Sequence, residues 1–462
     1  MSSFFIRNDK PQKRKFNGSQ RGKLKSSSTK NHKKSSNAKD EEIESDSELE
    51  EKDLSEYSSD EETAQEKKIR LAKKYLEQLK AEEDGDAAVD DDDGAAGARD
   101  VVADRLKHDF LEQKGKLHLE IADQYIVPDP SDVTVLRGHK LPVTCAVVSS
   151  DDKFIFSASK DASLIKWSVQ EGHKVHMIPG VKKGNKVKQV GHSSQILALA
   201  ISTDSKFLVS GEQKRLVHVW NPSTCQLIHT FKGHKDAVTG LAFRKNSHQL
   251  FSCSNDRSVK VWDLDQMCYV ETLFGHQDSI TAIDSLTRER ALTAGGRDGS
   301  LRIWKIVEES QLVFHGHTGS IDCVALINES SFLSGGDDNS LCLWSVMKKK
   351  PLITYKNAHN GEMNANSSNE ENWISAVASL QHSDLIASGS KDGCIRLWKC
   401  GPNFKSLTPL FSIRVVGFVN SLQFSKDGSF LVAAVGQEHK YGRWWRIKEA
   451  RNSVCIIKLR KS

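Results

Sequence analysis

Histidine, serine and aspartate, the residue types of a hydrolytic triad, recur with tryptophan at fixed distances along this sequence. Two complete sets are His139, Ser157, Asp161 and Trp167, then His234, Ser252, Asp256 and Trp262. A hydrolase needs one serine that one histidine activates. Here four sets place serine ten residues and aspartate six residues before the tryptophan, and repetition at a fixed spacing indicates architecture. We therefore predict that the sets are structural and that the chain is not an enzyme.

The distance from histidine to tryptophan is almost constant. It is 28 residues in four pairs, 27 from His317 to Trp344, and 39 from His359 to Trp398, where a polar insertion intervenes. The 28-residue pairs are His139–Trp167, His192–Trp220, His234–Trp262 and His276–Trp304. Apolar runs, a tight polar turn and a period-two stretch lie between the partners, which predicts three short strands. Five of the six histidines follow glycine, and from about Ser131 to Ser462 the chain resembles the WD40 repeat family.

This resemblance implies an all-β fold, a seven-bladed WD40 β-propeller. Six repeats supply six blades. Residues 419–424, 430–434 and 443–447 are interpreted as three strands of a seventh blade that lacks the Gly-His pair. Val133–Leu136 and residues 454–459 compete for its fourth strand, and the sequence leaves that choice open.

The resemblance also implies that each tryptophan, serine, histidine and aspartate set forms a buried hydrogen-bonded network. Two repeats depart from the pattern. Lys214 replaces the aspartate in the second repeat, and Ala294 replaces the serine in the fourth. We expect incomplete networks in those two blades.

The N-terminal region differs sharply in composition. Residues 1–39 carry a net charge of +11, and residues 40–62 carry −12. Neither block has enough apolar surface to form a core, so residues 1–62 are predicted to be disordered. Lys10, Lys13, Arg14 and Lys15 form a candidate nuclear localisation signal, although a solubilising tail has a similar composition. Serines in the acidic block suit an acid-directed kinase.

Residues 63–130 are predicted to form a helical and linker extension before the propeller, which then occupies residues 131–462. Ile69, Ala72, Leu76 and Leu79 share one stripe of a basic amphipathic helix over residues 63–80. A short helix of this kind is marginal alone in water, which favours a docking partner. An acidic linker follows, and the segment up to Tyr125 is expected to clamp a neighbouring subunit or an RNA stem.

Charge suggests what the propeller binds. Residues 131–462 carry +12, and the turns between second and third strands are basic in several blades. A ring of cations on one face is the pattern expected for phosphate binding, although variable surface turns are often basic as well. The candidate RNA-binding residues are Lys160, Lys182, Lys183, Lys186, Lys188, Lys214, Arg215, Arg257, Arg297, Lys391, Lys440 and Arg443.

A closer resemblance covers nearly the whole chain. Residues 295–327, residues 416–459 and the helix sequence EKKIRLAKKYLEQL resemble the U3 small nucleolar RNA-interacting WD40 family. The resemblance implies a nucleolar, non-catalytic subunit of the U3 box C/D ribonucleoprotein, which binds the B/C motif region and supports pre-18S ribosomal RNA processing. The implied partners are U3 RNA, box C/D core proteins including the small kink-turn-binding protein, and the small-subunit processome.

A second class of function is a protein-only WD40 adaptor, either a ubiquitin-ligase substrate receptor or a chromatin peptide reader. The WDxR box associated with one such receptor class is absent, because the one Trp-Asp pair continues as Leu264-Asp265. The sequence also has no P-loop, nucleophile elbow or metal-ligand cluster. We expect no cofactor, no metal, no membrane association and no small-molecule substrate.

Overall fold

Seven antiparallel four-stranded sheets arranged around a central channel dominate the fold. The computed structural model describes residues 118–181, 191–359, 372–442 and 444–461, and positions 70, 106, 110 and 111 before them. The chain divides into two compact units, Met1–Ala81 and Glu82–Ser462, and the sheets lie in the second. The predicted seven-bladed WD40 β-propeller is confirmed. Within the described ranges, no helix is long and apolar enough to cross a membrane.

Each of the first six blades takes four consecutive strands, from the channel outward to the rim. Blade 1 contains β2 (Val143–Val148), β3 (Phe154–Ser159), β4 (Leu164–Ser168) and β5 (Lys174–Ile178). Blade 2 contains β6 (Ile196–Ile201), β7 (Leu208–Glu212), β8 (Leu216–Trp220) and β9 (Leu227–Lys232). Blade 3 contains β10 (Val238–Phe243), β11 (Gln249–Ser254), β12 (Ser258–Asp263) and β13 (Cys268–Phe274).

Blade 4 contains β14 (Ile280–Ser285), β15 (Arg290–Gly295), β16 (Ser300–Lys305) and β17 (Ser310–His315). Blade 5 contains β18 (Ile321–Asn328), β19 (Ser331–Gly336), β20 (Ser340–Ser345) and β21 (Ile353–Lys356). Blade 6 contains β22 (Ile374–Ser379), β23 (Leu385–Ser390), β24 (Cys394–Cys400) and β25 (Leu407–Arg414). Short 3-10 helices span Ala122–Gln124, Pro130–Asp132 and Pro402–Phe404.

Blade 7 closes the ring by joining the two ends of the described chain. Its strands, from the channel outward, are β26 (Phe418–Phe424), β27 (Phe430–Gly436), β28 (Ser453–Lys458) and β1 (Val133–Leu136). Both candidate segments are therefore used. The predicted strand over residues 443–447 is wrong, since its described positions belong to a long loop between β27 and β28. The segment SVCIIK supplies the third strand instead because nearly all of it is buried.

Each innermost strand has a bulge near its start, and in five of the seven blades the side chain of the bulged residue bonds to the next blade. In blade 3 the pairing with β11 skips Thr239, and the Thr239 hydroxyl donates to the Ile280 carbonyl of blade 4 at 2.5 Å. A bulge re-aims one side chain out of the regular alternation, and here it aims that side chain at the next blade. Equivalent bonds run from Thr144 to Ile196 (2.7 Å), Thr281 to Ile321 (2.6 Å), Ser375 to Val419 (2.6 Å) and Asn420 to Val143 (2.8 Å).

The segment before β1 packs on the propeller itself. One carboxylate oxygen of Asp384 accepts the backbone N–H groups of Ile121 (2.9 Å) and Ala122 (3.0 Å). The Tyr125 hydroxyl donates to the Gly428 carbonyl of blade 7 at 3.1 Å. Residues 118–125 thus bridge blades 6 and 7, and the expected contact of this segment with a neighbouring subunit or an RNA stem stays a prediction. The leader 1–62, its localisation signal and most of the helix over residues 63–80 lie outside the described residues.

Thr239→Val removes the hydroxyl but keeps the shape of the side chain, leaving the Ile280 carbonyl without that donor. We expect the free energy of unfolding, measured by urea denaturation, to fall by about 1–3 kcal/mol. Thr224→Val, in an exposed turn, is the matched control and should change stability by less than about 0.5 kcal/mol. Equal stability of the two variants would contradict the role given to the bulge.

Candidate nucleic-acid interface

In six blades, a tryptophan, a hydroxyl residue and a histidine form one hydrogen-bonded chain. In blade 3 the Trp262 indole N–H donates to Ser252 Oγ at 2.8 Å, and that oxygen lies 2.7 Å from His234 Nε2. His234 Nδ1 lies 3.0 Å from the Asp256 carboxylate. Ser252 is fully buried, so its hydroxyl has no access to a substrate. The network stabilises the turn before β12, and it is not a hydrolytic triad.

Blade 1 contains the same chain with one more member. The Trp167 indole donates to Ser157 Oγ at 2.7 Å, and His139 Nε2 lies 2.7 Å from that oxygen. His139 Nδ1 contacts Ser163 Oγ at 2.8 Å, and Asp161 lies farther away at 3.8 Å. The hydroxyl of Ser163 also donates to Asp161. Ser163 therefore connects His139 to the Asp161 carboxylate through two hydrogen bonds.

The expected gaps in blades 2 and 4 are filled by other residues, so that prediction was wrong. In blade 2 the Glu212 carboxylate lies 2.9 Å from His192 Nδ1, because its longer side chain reaches from the end of β7 to the place of the missing aspartate. In blade 4 the Thr293 hydroxyl accepts the Trp304 indole N–H at 2.9 Å and lies 2.8 Å from His276 Nε2. Both networks are complete.

Hydrogen bonds hold the carboxylates of Asp256 and Glu212 in their charged form. Burial by itself raises the pKa of Asp256, but bonds from His234 and Ser258 outweigh it and hold the pKa well below its usual value. The same balance, with His192 and His218 as donors, lowers the pKa of Glu212. Stability from these two groups is present above their unfolded pKa values and is lost as the pH falls through the folded ones.

The buried histidines respond to pH in two directions. Burial lowers the pKa of His192 and of His276 despite their carboxylate partners. The unfolded chain therefore binds more protons at these positions below about pH 6.5, and their stabilisation is lost as the pH falls there. Burial also acts on His317, but Asp338 and other partners raise its pKa to about 9. The contribution of His317 to the stability of the fold is present below about pH 6.5 and is lost as the pH rises towards 9.

His192, Glu212 and His218 offer three potential metal ligand atoms within 4.8 Å of one another. Their hydrogen bonds favour a structural role. The Trp220 indole donates to Ser210 Oγ at 2.7 Å, so the serine hydroxyl is free to donate to His192 Nε2 at 2.9 Å. His192 Nδ1 then carries the proton that faces Glu212. A metal ion would have to displace that proton and break a satisfied network.

The predicted cations differ in exposure at one end of the propeller. Because strands alternate in direction, the turns after each second strand and the loops between blades lie at the same end, here called the upper face. Lys214, Arg215, Arg257 and Arg297 are exposed there, and Lys391 and Lys440 are half-buried. The remaining loop candidates, Lys182, Lys183, Lys186, Lys188 and Arg443, lie outside the described residues.

Lys160 is the exception, because it is buried and already used. Its ammonium group donates to the His439 carbonyl at 2.6 Å and lies 3.7 Å from the Glu438 carboxylate. Lys160 therefore fastens blade 1 to the loop of blade 7, and we remove it from the candidate interface.

That loop, residues 437–452 between β27 and β28, carries the aromatic groups of the upper face. Tyr441 reaches across the channel, and its hydroxyl donates to the Thr281 carbonyl of blade 4 at 3.1 Å. The Trp445 ring packs edge-on against Trp373 with centroids 5.1 Å apart, and Lys391 Nζ lies 4.7 Å from the Trp445 centroid. Trp444 and Trp445 remain 71% and 51% exposed. Exposed aromatic rings beside cations are the groups that stack on nucleic-acid bases.

Comparison with known proteins agrees with this architecture. The family model described as WD domain, G-beta repeat matches residues 130–168, 267–305, 308–345 and 363–399. The model for the first β-propeller of WD repeat-containing protein 75 matches residues 200–276. U3 small nucleolar RNA-interacting protein 2 of Mus musculus is 55% identical over 401 residues, covering 87% of this chain and 83% of that protein.

The chain belongs to the U3 small nucleolar RNA-interacting protein family. A solved structure titled "Structure of U3-55K" is 56% identical, with a TM-score of 0.69, and covers 72% of this chain and 100% of that one. A more distant relative, Ribosomal RNA-processing protein 9 of Saccharomyces cerevisiae, is 26% identical over 503 residues, covering 84% of this chain and 88% of that protein.

Within this family member, sequence reasoning missed the roles of Glu212, Thr293, Tyr441 and the two exposed tryptophans. Glu212 and Thr293 lie one or two residues from the expected offsets, and a search that allowed such shifts would find them. The adjacent Trp444 and Trp445 were read as part of a strand. Their neighbourhood of lysine and arginine was a signal for an exposed loop.

Glu212→Ala tests whether this residue replaces the missing aspartate of blade 2. Loss of the carboxylate leaves the ring N–H groups of His192 and His218 without their shared acceptor, so we expect the free energy of unfolding at pH 7 to fall by about 1–3 kcal/mol for each unpaired group. Lys214→Ala, at the position where the aspartate was expected, should change it by less than about 0.5 kcal/mol. Chemical denaturation compares the two, and a larger loss for Lys214→Ala would refute the assignment.

Proposed function

We propose that this chain is a non-catalytic RNA-binding subunit of the U3 box C/D small nucleolar ribonucleoprotein. It binds the B/C motif region of U3 RNA and supports pre-18S ribosomal RNA processing. The observation that carries the proposal is an upper face that presents exposed cations in the turns of blades 2, 3 and 4 and the exposed rings of Trp444 and Trp445 in the loop of blade 7. The names of the mouse and yeast relatives support the choice of U3 RNA and of ribosomal RNA processing.

Two physical terms contribute to binding. The positive charge of Lys214, Arg215, Arg257 and Arg297 attracts phosphates and releases counterions, which gives affinity without base specificity. Trp444 and Trp445 stack on unpaired bases, and such stacking contributes about 1–3 kcal/mol per base. An RNA that combines closely spaced phosphates with splayed bases satisfies both terms. A kinked internal motif has these features, so recognition depends on shape more than on base sequence.

A kinked RNA needs a protein to hold it. The small kink-turn-binding protein fixes that shape, and this chain binds the composite surface of RNA and protein. Other box C/D core proteins and the small-subunit processome are further partners. The complex assembles in the nucleus and acts in the nucleolus.

The alternative, a protein-only adaptor, finds less support in the geometry. Tyr441 lies across the upper mouth of the channel and donates to Thr281, so it occupies the place where a reader would insert a peptide side chain. Crosslinking followed by RNA sequencing separates the two classes. A dominant U3 signal supports RNA binding, and crosslinks to protein alone support the adaptor.

Replacing Lys214, Arg215, Arg257 and Arg297 together with glutamate reverses charge where phosphates are proposed to bind. We expect U3 RNA affinity to fall at least about tenfold and the salt dependence to flatten, by about 0.7–0.9 in the logarithmic slope per lost contact. Fluorescence anisotropy at several salt concentrations measures both quantities.

The matched control reverses Lys153, Lys348, Lys349 and Lys350, which are exposed in turns at the opposite end of the strands. Both variants carry the same net charge. If both lose affinity equally, binding follows net charge alone and the interface is not the upper face. Unchanged binding by the first variant would refute the interface outright.

Deleting residues 1–39 removes the basic cluster Lys10, Lys13, Arg14 and Lys15 and leaves the propeller intact. We expect a fluorescent fusion to lose nuclear accumulation while the purified protein keeps its affinity for U3 RNA. Replacing the four cluster residues with alanine is the narrower version of this test. Nuclear accumulation of both variants would show that another segment directs import.

A further inference from the structure

A cavity of about 370 Å³ opens on the upper face between blades 4 and 5. Arg297 from the turn of blade 4 lines one part of it, and Asp337 from the turn of blade 5 lines another. His315, Thr318, Gly319 and Ser320 complete the lining that matters here. Its volume lies near the lower end for ligand pockets and suits a single small group.

Backbone hydrogen bonds fix the frame of this pocket. The Gly296 N–H donates to the Ser279 carbonyl at 2.8 Å, and the Ile321 N–H donates to the Gly296 carbonyl at 3.2 Å, which joins the two blades. The Asp337 N–H donates to the Ser320 carbonyl at 2.9 Å. A Cβ atom at position 319 would overlap the Asp337 carboxylate. Gly319 therefore leaves room for that carboxylate, which is placed before any ligand binds.

Asp337 is an unusual residue for its position in the upper turn. Five blades have the network aspartate in their upper turn, and the residue just before it is Lys160, Asn255, Arg297, Asp337 or Lys391. Only blade 5 places an acid there, and the neighbouring blade 4 places an arginine. The network aspartates themselves are occupied, as Asp298 is by His276 at 2.8 Å. Arg297 and Asp337 thus bring opposite charges to one pocket on the upper face.

We infer that this pocket binds one unpaired guanine base, with Asp337 and Arg297 as the residues that select it. The inference rests on the proposed function, since it names a base for the RNA that the upper face binds. Guanine presents two adjacent donors, N1–H and the N2 amino group, which match the two oxygens of a carboxylate. It also presents two adjacent acceptors, O6 and N7, which match a guanidinium fork.

Other ligands fit the pair of charges less well. Uracil has a single ring N–H between two acceptors, and adenine and cytosine each offer one amino group and no adjacent ring N–H on that edge. A lone phosphate would meet the Asp337 carboxylate and be repelled by it. The pocket therefore adds base selectivity to a face whose other cations bind phosphate regardless of sequence.

Titration of the full-length chain with GMP, AMP, CMP and UMP, followed by saturation-transfer NMR, tests the pocket directly. We expect GMP to bind at least about tenfold more tightly than the other three, the discrimination of one good bidentate pair. Asp337→Asn should abolish the preference, because the amide presents a donor to the donors of guanine. Thermal unfolding of the variant checks that the propeller remains folded.

Arg414→Gln is the matched control for Arg297→Gln, because Arg414 is also exposed but lies on β25 of blade 6, outside the proposed interface. Loss of the GMP preference in Arg297→Gln and its retention in Arg414→Gln are expected. Equal affinity for the four nucleotides, or a GMP preference that survives Asp337→Asn, would overturn the inference. Binding of an arginine amide in competition with GMP would overturn it in favour of a basic peptide.

U3 RNA binding by the same protein separates this inference from the function on which it rests. Selective GMP binding without U3 binding would sustain the pocket and refute the proposed function. U3 binding without GMP selectivity would support the proposed function and refute the guanine pocket. A seven-nucleotide uridine RNA with one central guanosine is then compared with the same RNA carrying inosine, which lacks the N2 amino group. The difference in their affinities measures the contribution of that amino group to binding.

Discussion

Each blade of this propeller needs a neighbour on both faces, and that requirement governs the rest of the structure. The apolar core is not inside any blade but between adjacent blades. Leu136 and Val454 of blade 7, for example, share one cluster with Val143 and Trp167 of blade 1. A ring with one gap would expose two such faces and an open sheet edge. The pairing of β1 with β28 closes that gap, and the bonds from the inner-strand bulges fix the angle between blades.

The same requirement separates polar groups that stabilise from polar groups that can bind. Buried tryptophan, hydroxyl, histidine and carboxylate groups satisfy one another, because an unpaired buried polar group costs roughly 1–3 kcal/mol. Once they are paired, they have no capacity left for a ligand. Cations such as Arg257 and Arg297 occupy turn positions beside the network but point outward and are exposed. Function can therefore vary at those positions without disturbing the scaffold.

The regular repeat made the propeller scaffold predictable from the sequence. The pattern could not predict contacts made by side chains that reach their partners from unexpected backbone positions. Spacing between His234 and Trp262 is imposed by strand length and turn size, so the period revealed the fold, the blade number and the networks. The role of Glu212 was not predicted, because its longer side chain bonds to His192 from a different backbone position. A pattern of fixed residue spacings does not include such a replacement. The burial of Lys160 was not predicted for a related reason. It shares its turn position with exposed residues, but its partners lie about 280 residues away in blade 7, and sequence patterns are local.

The loop of blade 7 shows why an irregular segment matters most for binding here. Within the described residues blade 7 has no tryptophan–hydroxyl–histidine network, and the loop between β27 and β28 is long enough for Tyr441 to reach across the channel. Tyr441 closes the channel mouth through Thr281, and Lys160 fastens the loop at the His439 carbonyl. These anchors leave Trp444 and Trp445 exposed on a backbone that is held at several points. Exposed rings on a fixed backbone lose little conformational entropy on binding. The blade that departs furthest from the repeat thus presents the two exposed rings to which we assign base stacking.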